Sequence, residues 1–403
     1  MSSIRKFWEI FFIFLKLGIT SFGGPIAHIG YFRDEFVTRR QWLSERDYAD
    51  LVALCQFLPG PASSQVGMAL GMMRANYSGA LAAWLGFTMP SACLLIAFAM
   101  GLQHWGAGVP TGLIHGLKLV AVAVVAQAVW GMGKSLCNST AKITLMVSTV
   151  FALTLWSSLW AQVVVIVLGG LIGYFMMRGP QSPSQSPAPS SEHLSLQISK
   201  TAGAYWGAAF TLLVILLPSL AVMTSSQLVA IVDSFFRAGS LVFGGGHVVL
   251  PLLQAEVVPT GLVDAEQFMA GYGAAQAVPG PLFTFAAFLG ASMEQGPTGI
   301  FGGLLALCVI FLPAFMILAA VLPYWDSVRK SPSMQAVMAG VGASVVGLLL
   351  AALYNPIWTG AVRTPTDFAL VLVAYVALVY WKMRVWIVVL GSAFAGIFLS
   401  YLN

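Results

Sequence analysis

The sequence predicts an all-α polytopic membrane protein built as an inverted-topology repeat. Its two homologous halves carry Gly/Pro-broken helices and re-entrant hairpins. Three observations predict this. First, 59% of the 403 residues are hydrophobic and only 8% charged, with mean hydropathy +0.87, a composition whose natural solvent is a bilayer. Second, one pair of motifs occurs twice: Phe22-Gly23-Gly24-Pro25 with Pro59-Gly60-Pro61, then Phe243-Gly244-Gly245-Gly246 with Pro279-Gly280-Pro281. Third, arginines crowd the segment between the motifs in the first copy and are missing from the second.

The match extends beyond the motifs. Lys16, Gly18, Phe22, Gly23 and Gly24 align with Arg237, Gly239, Phe243, Gly244 and Gly245, and Glu35 aligns with Glu256. After one deletion, Gln56, Pro59, Gly60 and Pro61 align with Gln276, Pro279, Gly280 and Pro281. A lone Pro-Gly-Pro is a weak signal; two linked motifs repeated at nearly equal spacing indicate internal duplication. Broken helices free backbone groups that lipid does not satisfy, so such breaks persist where protein or a watery cavity covers them. Interrupted apolar segments at corresponding places in two halves point to a transport site.

Taken in order, residues 7–22 form an apolar helix carrying Glu9 and Lys16, and residues 25–37 an amphipathic one. A charged segment follows, with Arg33, Arg39, Arg40 and Arg46 among Asp34, Glu35, Glu45, Asp47 and Asp50. Residues 48–57 and 62–74 are helical pieces hinged at Pro59-Gly60-Pro61. Each falls short of the roughly 20 residues a span needs, which suggests a re-entrant hairpin. Apolar runs follow at about 79–102, 112–133, 142–156 and 160–177. Ser, Pro and Gln then dominate through residue 200, a composition that builds no core. The expected division is a first repeat over 1–178, a linker over 179–200, a linker transmembrane helix over 201–223 and a second, inverted repeat over 224–403, with spans near 298–322, 334–354, 366–381 and 385–402. Arg5-Lys6 before an apolar run resembles a signal peptide, but no small-residue cleavage site follows, so the segment is expected to be retained.

Charge sets the orientation. Residues 17–107 hold Arg33, Arg39, Arg40, Arg46 and Arg74, whereas residues 238–328 hold no Lys or Arg, although both stretches carry five acidic residues. Under the positive-inside rule, segment 33–46 is cytoplasmic and its counterpart 254–266 external. Lys134, Lys142, Arg178, Arg329, Lys330, Lys382 and Arg384 then fall inside, with Arg363 the exception. The single crossing at 201–223 inverts the second copy. Two inverted copies exchanging conformations give alternating access around a site at their interface.

Other classes find less support. The chain has no HExxH, no GxSxG and no Cys–His cluster, and its five histidines are dispersed, so neither an enzyme, a metal site nor a cofactor is expected. Cys55, Cys93, Cys137 and Cys308 show no paired spacing and read as small core residues. A net charge of +5 without a basic face gives no nucleic-acid surface. A cation transporter would carry several carboxylates within spans; only Glu9 and Glu256 come close.

Phe22-Gly23-Gly24-Pro25, Trp42-Leu43-Ser44 and Gln56-x-x-Pro59-Gly60-Pro61 resemble the chromate ion transporter family. Phe243-Gly244-Gly245-Gly246-His247 and Gln276-x-x-Pro279-Gly280-Pro281 resemble its second domain. The resemblance covers nearly the whole chain, in the long two-domain form. It implies efflux of chromate through the bacterial inner membrane, driven by ion gradients, with sulfate as the related oxyanion. Transport of sulfate or another oxyanion, or a passive anion channel, is the alternative. A homodimer stays open, and the bilayer is the other partner.

An oxyanion site suits these residues. Helix N-termini supply unpaired N–H groups and a positive dipole end, and half-helices would start after Gly24, Pro61, Gly245 and Pro281. The expected substrate-binding set is therefore the four motifs, with Gln56 and Gln276 as neutral donors or as caps of the breaks. Lys16 and Arg237 are expected to be matched cations around the dianion. Coupling or gating candidates are His28, His247, Glu35 and Glu256. Among them, Glu35 sits between arginines in sequence and Glu256 has no basic neighbour. Trp105, Trp156, Trp160 and Trp358 read as interface anchors, and Arg74 as a topology anchor.

Overall fold

The computed structural model describes residues 3–105, 110–156, 159–176, 199–243, 245–325 and 331–402, with helices and connections and no strand among them. Residues 179–198 of the expected linker lie outside that range, as does Gly244. The first half comprises α1 (Ser3–Thr20), α2 (Gly24–Arg33), α3 (Glu45–Phe57), α4 (Ala62–Trp105), α5 (Thr111–Leu136), α6 (Thr140–Leu155) and α7 (Leu159–Met176). α8 (Lys200–Thr224) stands between the halves. The second half comprises α9 (Gln227–Ser240), α10 (Val249–Val257), α11 (Ala265–Ala275), α12 (Phe285–Ser292), α13 (Gly299–Val321), α14 (Pro332–Ala352), α15 (Pro365–Val379) and α16 (Val385–Leu402). Five helices among the described residues are long and apolar enough to cross a membrane: 62–104, 111–136, 200–224, 299–324 and 332–361.

The same local chemistry builds corresponding elements. Ser44 caps α3 by accepting from the Asp47 N–H, and the aligned Asp264 caps α11 by accepting from Glu266 and Gln267. Both caps satisfy N–H groups that a helix start leaves without partners. α4 is two helices joined at a kink, with Asn76 at φ 52° and Ala75 also outside helical geometry. Its arms fold back at a glycine pair: a side chain on Gly71 would meet the Gly79 carbonyl oxygen at 2.2 Å. In the second half, α12 and α13 meet in the same way at Gly290 and Gly302. The expected hairpin pieces 48–57 and 62–74 correspond to α3 and the first arm of α4, on either side of Pro59-Gly60-Pro61.

The halves interlock instead of standing side by side. α1 packs on α4 and α9 on α13 within each half, whereas α5 packs on α15 and α16, and α14 on α6 and α7, across the halves. The crossings are close because small residues face backbone. Gly116 lies against the Ser392 carbonyl and Gly173 against the Ala336 carbonyl, the packing that membrane helices favour. α8 lies outermost, against α9 and α13, and none of its most apolar window is buried. The Tyr324 hydroxyl donates to the Lys200 carbonyl at 2.8 Å, so the start of α8 and the end of α13 share one face.

Arg363, the exception in the charge pattern, has local partners. It lies 3.6 Å from Glu266, which Lys118 also binds at 3.1 Å, and its N–H donates to Asp367. His115 contacts the same Asp367 carboxylate at 2.6 Å. Both the side chain and the backbone N–H of Arg363 therefore face carboxylates.

Candidate functional site

All four repeated motifs meet at one place. The Gly60 N–H donates to the Val242 carbonyl at 2.7 Å, and the Gly280 N–H donates to the Ser21 carbonyl at 2.9 Å. Gly60 and Gly280 are the centres of the two Pro-Gly-Pro hinges. Ser21 and Val242 are the residues immediately before the two Phe-Gly breaks. Each half therefore inserts its hinge into the break of the other, with one backbone bond exchanged in each direction. A side chain on Gly246 would lie 3.6 Å from both Pro25 and Leu282, so the two breaks also touch each other.

Four helix starts surround this crossing. α2 begins at Gly24 behind Gly23, which is left-handed and provides no side-chain cap, and α4 begins at Ala62, directly after Pro61. In the second half, 3-10 turns at Gly246–Val248 and Leu282–Thr284 lead into α10 and α12. The Gln65 amide ties the first hinge to α13, donating to Pro59 at 2.8 Å and to Ala314 at 3.3 Å.

The two sides of the crossing differ in chemistry. On the first-half side, Ser21, His28, Ser63, Ser64, Gln65, Thr88 and Ser91 are all buried. His28 Nδ1 lies 3.3 Å from the Ser63 hydroxyl, and its ring stands edge-on to Phe87 at 5.2 Å. Ser21 Oγ, Ser64 Oγ, Thr88 Oγ1, His28 Nε2 and the Gln276 Nε2 have no hydrogen-bond partner among the described residues. At aligned second-half positions stand Val242, Val249, Phe283 and Phe285 in place of Ser21, His28, Ser63 and Gln65. Buried donors without partners are costly, and their concentration on one side of a break is what a polar ligand would satisfy.

The remaining expected residues divide. Phe22 and Phe243 are half-buried at the crossing, and Phe22 packs on Trp386 of α16 at 6.2 Å. Gln276 is half-buried, whereas Gln56 is exposed, so the aligned glutamines do not form an equivalent pair. Lys16 and Arg237 also do not form the expected pair of matched cations. Lys16 lies on the exposed stripe of α1 with Trp8, Phe12 and Ile19. Arg237 is largely buried and binds Asp233 at 2.8 Å and Glu256 at 3.0 Å. The pattern breaks because Phe12 stands in the first half where Asp233 stands in the second.

Glu256 has no basic neighbour in sequence, yet the fold brings Arg237 to it. Glu35 is bound by Arg40 at 2.6 Å and Arg39 at 3.1 Å. Burial alone would raise its pKa, but those arginines hold it below the usual carboxylate range. His247 contacts the buried Tyr272 hydroxyl at 2.8 Å. Arg74 stacks over Trp42 at 4.6 Å. Sequence reasoning missed Ser63, Ser64, Gln65 and Asp233. The run Ser63-Ser64-Gln65 was visible directly after the first hinge, as polar residues opening an otherwise apolar helix.

Two interlocked helical repeats with broken helices crossing at their centre define a multi-pass membrane transporter. The chromate transporter family model matches residues 8–174 and 229–397, and the chain belongs to that family. It is 27% identical over 401 residues to a chromate transport protein of Pseudomonas aeruginosa, covering 96% of this chain and 91% of that one. It is 24% identical over 392 residues to a chromate transport protein of Cupriavidus metallidurans, covering 96% and 92%. An uncharacterized transporter of Methanocaldococcus jannaschii is 28% identical over 349 residues, covering 85% and 82%. No solved structure matches the chain.

Proposed function

We propose that this protein is a secondary active transporter that exports chromate across the bacterial inner membrane by alternating access, and so confers chromate resistance. The observation that carries the reading is the reciprocal exchange of Gly60 and Gly280 backbone bonds between the halves. A hinge from each half in the break of the other gives both repeats a share in one site, so exchange of their conformations would open that site to either side.

Chromate is a tetrahedral dianion. It would be held by N–H groups at the helix starts after Gly24, Pro61, Gly245 and Pro281, and by the hydroxyls of Ser21, Ser63 and Ser64. Gln276 adds a neutral donor. Oriented dipoles in a low-dielectric site stabilise an anion without reorganising. Phe22, Pro25, Pro59, Phe243 and Pro279 would form the walls. Lys16 and Arg237 act from outside this shell, and Glu35 and His28 are candidates for gating. Sulfate shares the shape and charge of chromate and is the natural competitor.

Radiolabelled chromate uptake into inside-out vesicles tests the reading, with sulfate as competitor and ionophores added in turn. Saturable, energy-dependent uptake inhibited by sulfate is the expected result. Unsaturable flux indifferent to ionophores would make the protein a passive channel.

A further inference from the structure

We propose that the Asp233–Arg237–Glu256 triad is the site at which the transporter takes up and releases one proton in each cycle. The inference rests on the transport reading above. Asp233 on α9 and Glu256 on α10 both bind the same terminal nitrogen of Arg237, at 2.8 and 3.0 Å. The side chains are 8%, 4% and 20% exposed, respectively, so water does little to screen them. Two ionised carboxylates on one guanidinium leave one excess negative charge in a buried place, which is costly unless neutralised. Arg237 offsets the carboxylate charge only while both carboxylates stay on it; once Glu256 leaves, one proton takes over the guanidinium's part. Arg237 Nε has no partner among the described residues, so neither carboxylate holds the guanidinium by a two-bonded fork.

The surroundings leave this balance to the triad. Trp160 of α7 lies 5.6 Å from the guanidinium, and Ser234 hydrogen-bonds Glu256. α9 packs on α8, α10 and α13, and α10 also on α7, α14 and the Gly246–Val248 turn. Their titratable side chains are Lys200 and Tyr205 on α8, Cys308 on α13, Tyr174 on α7 and His247 in the turn, with none on α14. None of these is a carboxylate.

Two features separate the triad from a structural tie. The first repeat builds its corresponding helices α1 and α2 without one: Phe12 replaces Asp233, and Glu35 takes its arginines from its own segment. The fold therefore does not require it. The triad also straddles the second break. Arg237 lies before Val242, the acceptor of the Gly60 bond, and α10 starts just past Gly246. A change at the break moves α10 relative to α9 and separates Glu256 from Arg237. A buried Glu256 without its arginine binds a proton; restored to Arg237, it releases the proton. Proton occupancy and the conformation of the break are then linked in both directions.

The test uses the full chain in proteoliposomes with radiolabelled chromate and two readouts. Chromate exchange at equal pH on both sides reads the substrate site and its alternation. Accumulation under an imposed pH gradient reads coupling. Glu256→Gln and Asp233→Asn should keep exchange and lose gradient-dependent accumulation by about tenfold or more, within the usual range of coupling between sites. Glu256→Asp should recover part of it. Variants that accumulate chromate like wild type overturn the proposal. Variants that lose exchange together with accumulation also overturn it, by making the triad a structural tie. Absence of exchange from the wild type itself would overturn the transport reading and this inference with it, a result distinguishable from either of the others.

Discussion

Gly60 and Gly280 carry the crossing at the level of single residues. Both are left-handed, at φ 122° and 93°, a conformation that costs an ordinary residue about 1–2 kcal/mol. Space is short as well. A side chain on Gly60 would meet the Ala314 side chain at 2.7 Å, and one on Gly280 would meet the Ser91 hydroxyl at 2.9 Å. Gly60→Ala and Gly280→Ala should each destabilise the hinge by about 2 kcal/mol or more, the sum of backbone strain and overpacking. Chromate transport normalised to membrane-inserted protein should fall more than insertion does; wild-type transport would show that the hinges tolerate displacement. The sequence marked both glycines through their motifs. It did not reveal that Glu256 also holds Arg237, because Glu256 lies 19 residues away in the chain and no local pattern links them; the Asp233 contact, four residues away on the same helix, was there to be read.

At the scale of elements, the re-entrant hairpin around Pro59-Gly60-Pro61 was expected because that hinge separates two helical pieces, 48–57 and 62–74, each too short to span. The second turn of the hairpin, at Ala75 and Asn76, was less clear. Asn tolerates the left-handed region, but one Asn in an apolar stretch is a weak mark. The close contact of Gly71 with Gly79 is tertiary and left no local signature. It makes a sharp prediction. Gly79→Val would drive its side chain into the Gly71 carbonyl, since even a Cβ there would lie 2.0 Å from that oxygen, and should abolish folded protein. Leu81→Val, on an exposed face of the same helix, should change stability by less than about 1 kcal/mol. Thermal unfolding in detergent compares them; a Gly79→Val protein as stable as wild type would mean that the arms separate freely.

For the whole molecule, duplication and charge asymmetry were enough to indicate two inverted halves. Matching motifs mark the repeat, and arginine placement carries the expected orientation. The interlocking was not legible, because α5, α6, α7, α14, α15 and α16 are mostly apolar and the few polar side chains on them, such as His115 and Lys118 on α5 and Asp367 on α15, do not name their partners in sequence. The chemical difference between the halves was written in the sequence, as Ser63 against Phe283 and Gln65 against Phe285, but its meaning depends on the crossing that brings those residues to one place. On the proposed transport cycle, both halves build a single anion site where their breaks interleave. Substrate protection of single cysteines measures this directly. In a protein whose four native cysteines are replaced by alanine, cysteine is introduced in turn at Phe22, Ser63, Phe243 and Gln276, and its rate of modification by a small thiol reagent is followed with and without chromate. Chromate should slow modification at all four positions, two from each half, and sulfate should do so at higher concentration. Protection confined to one half, or absent from both, would contradict it.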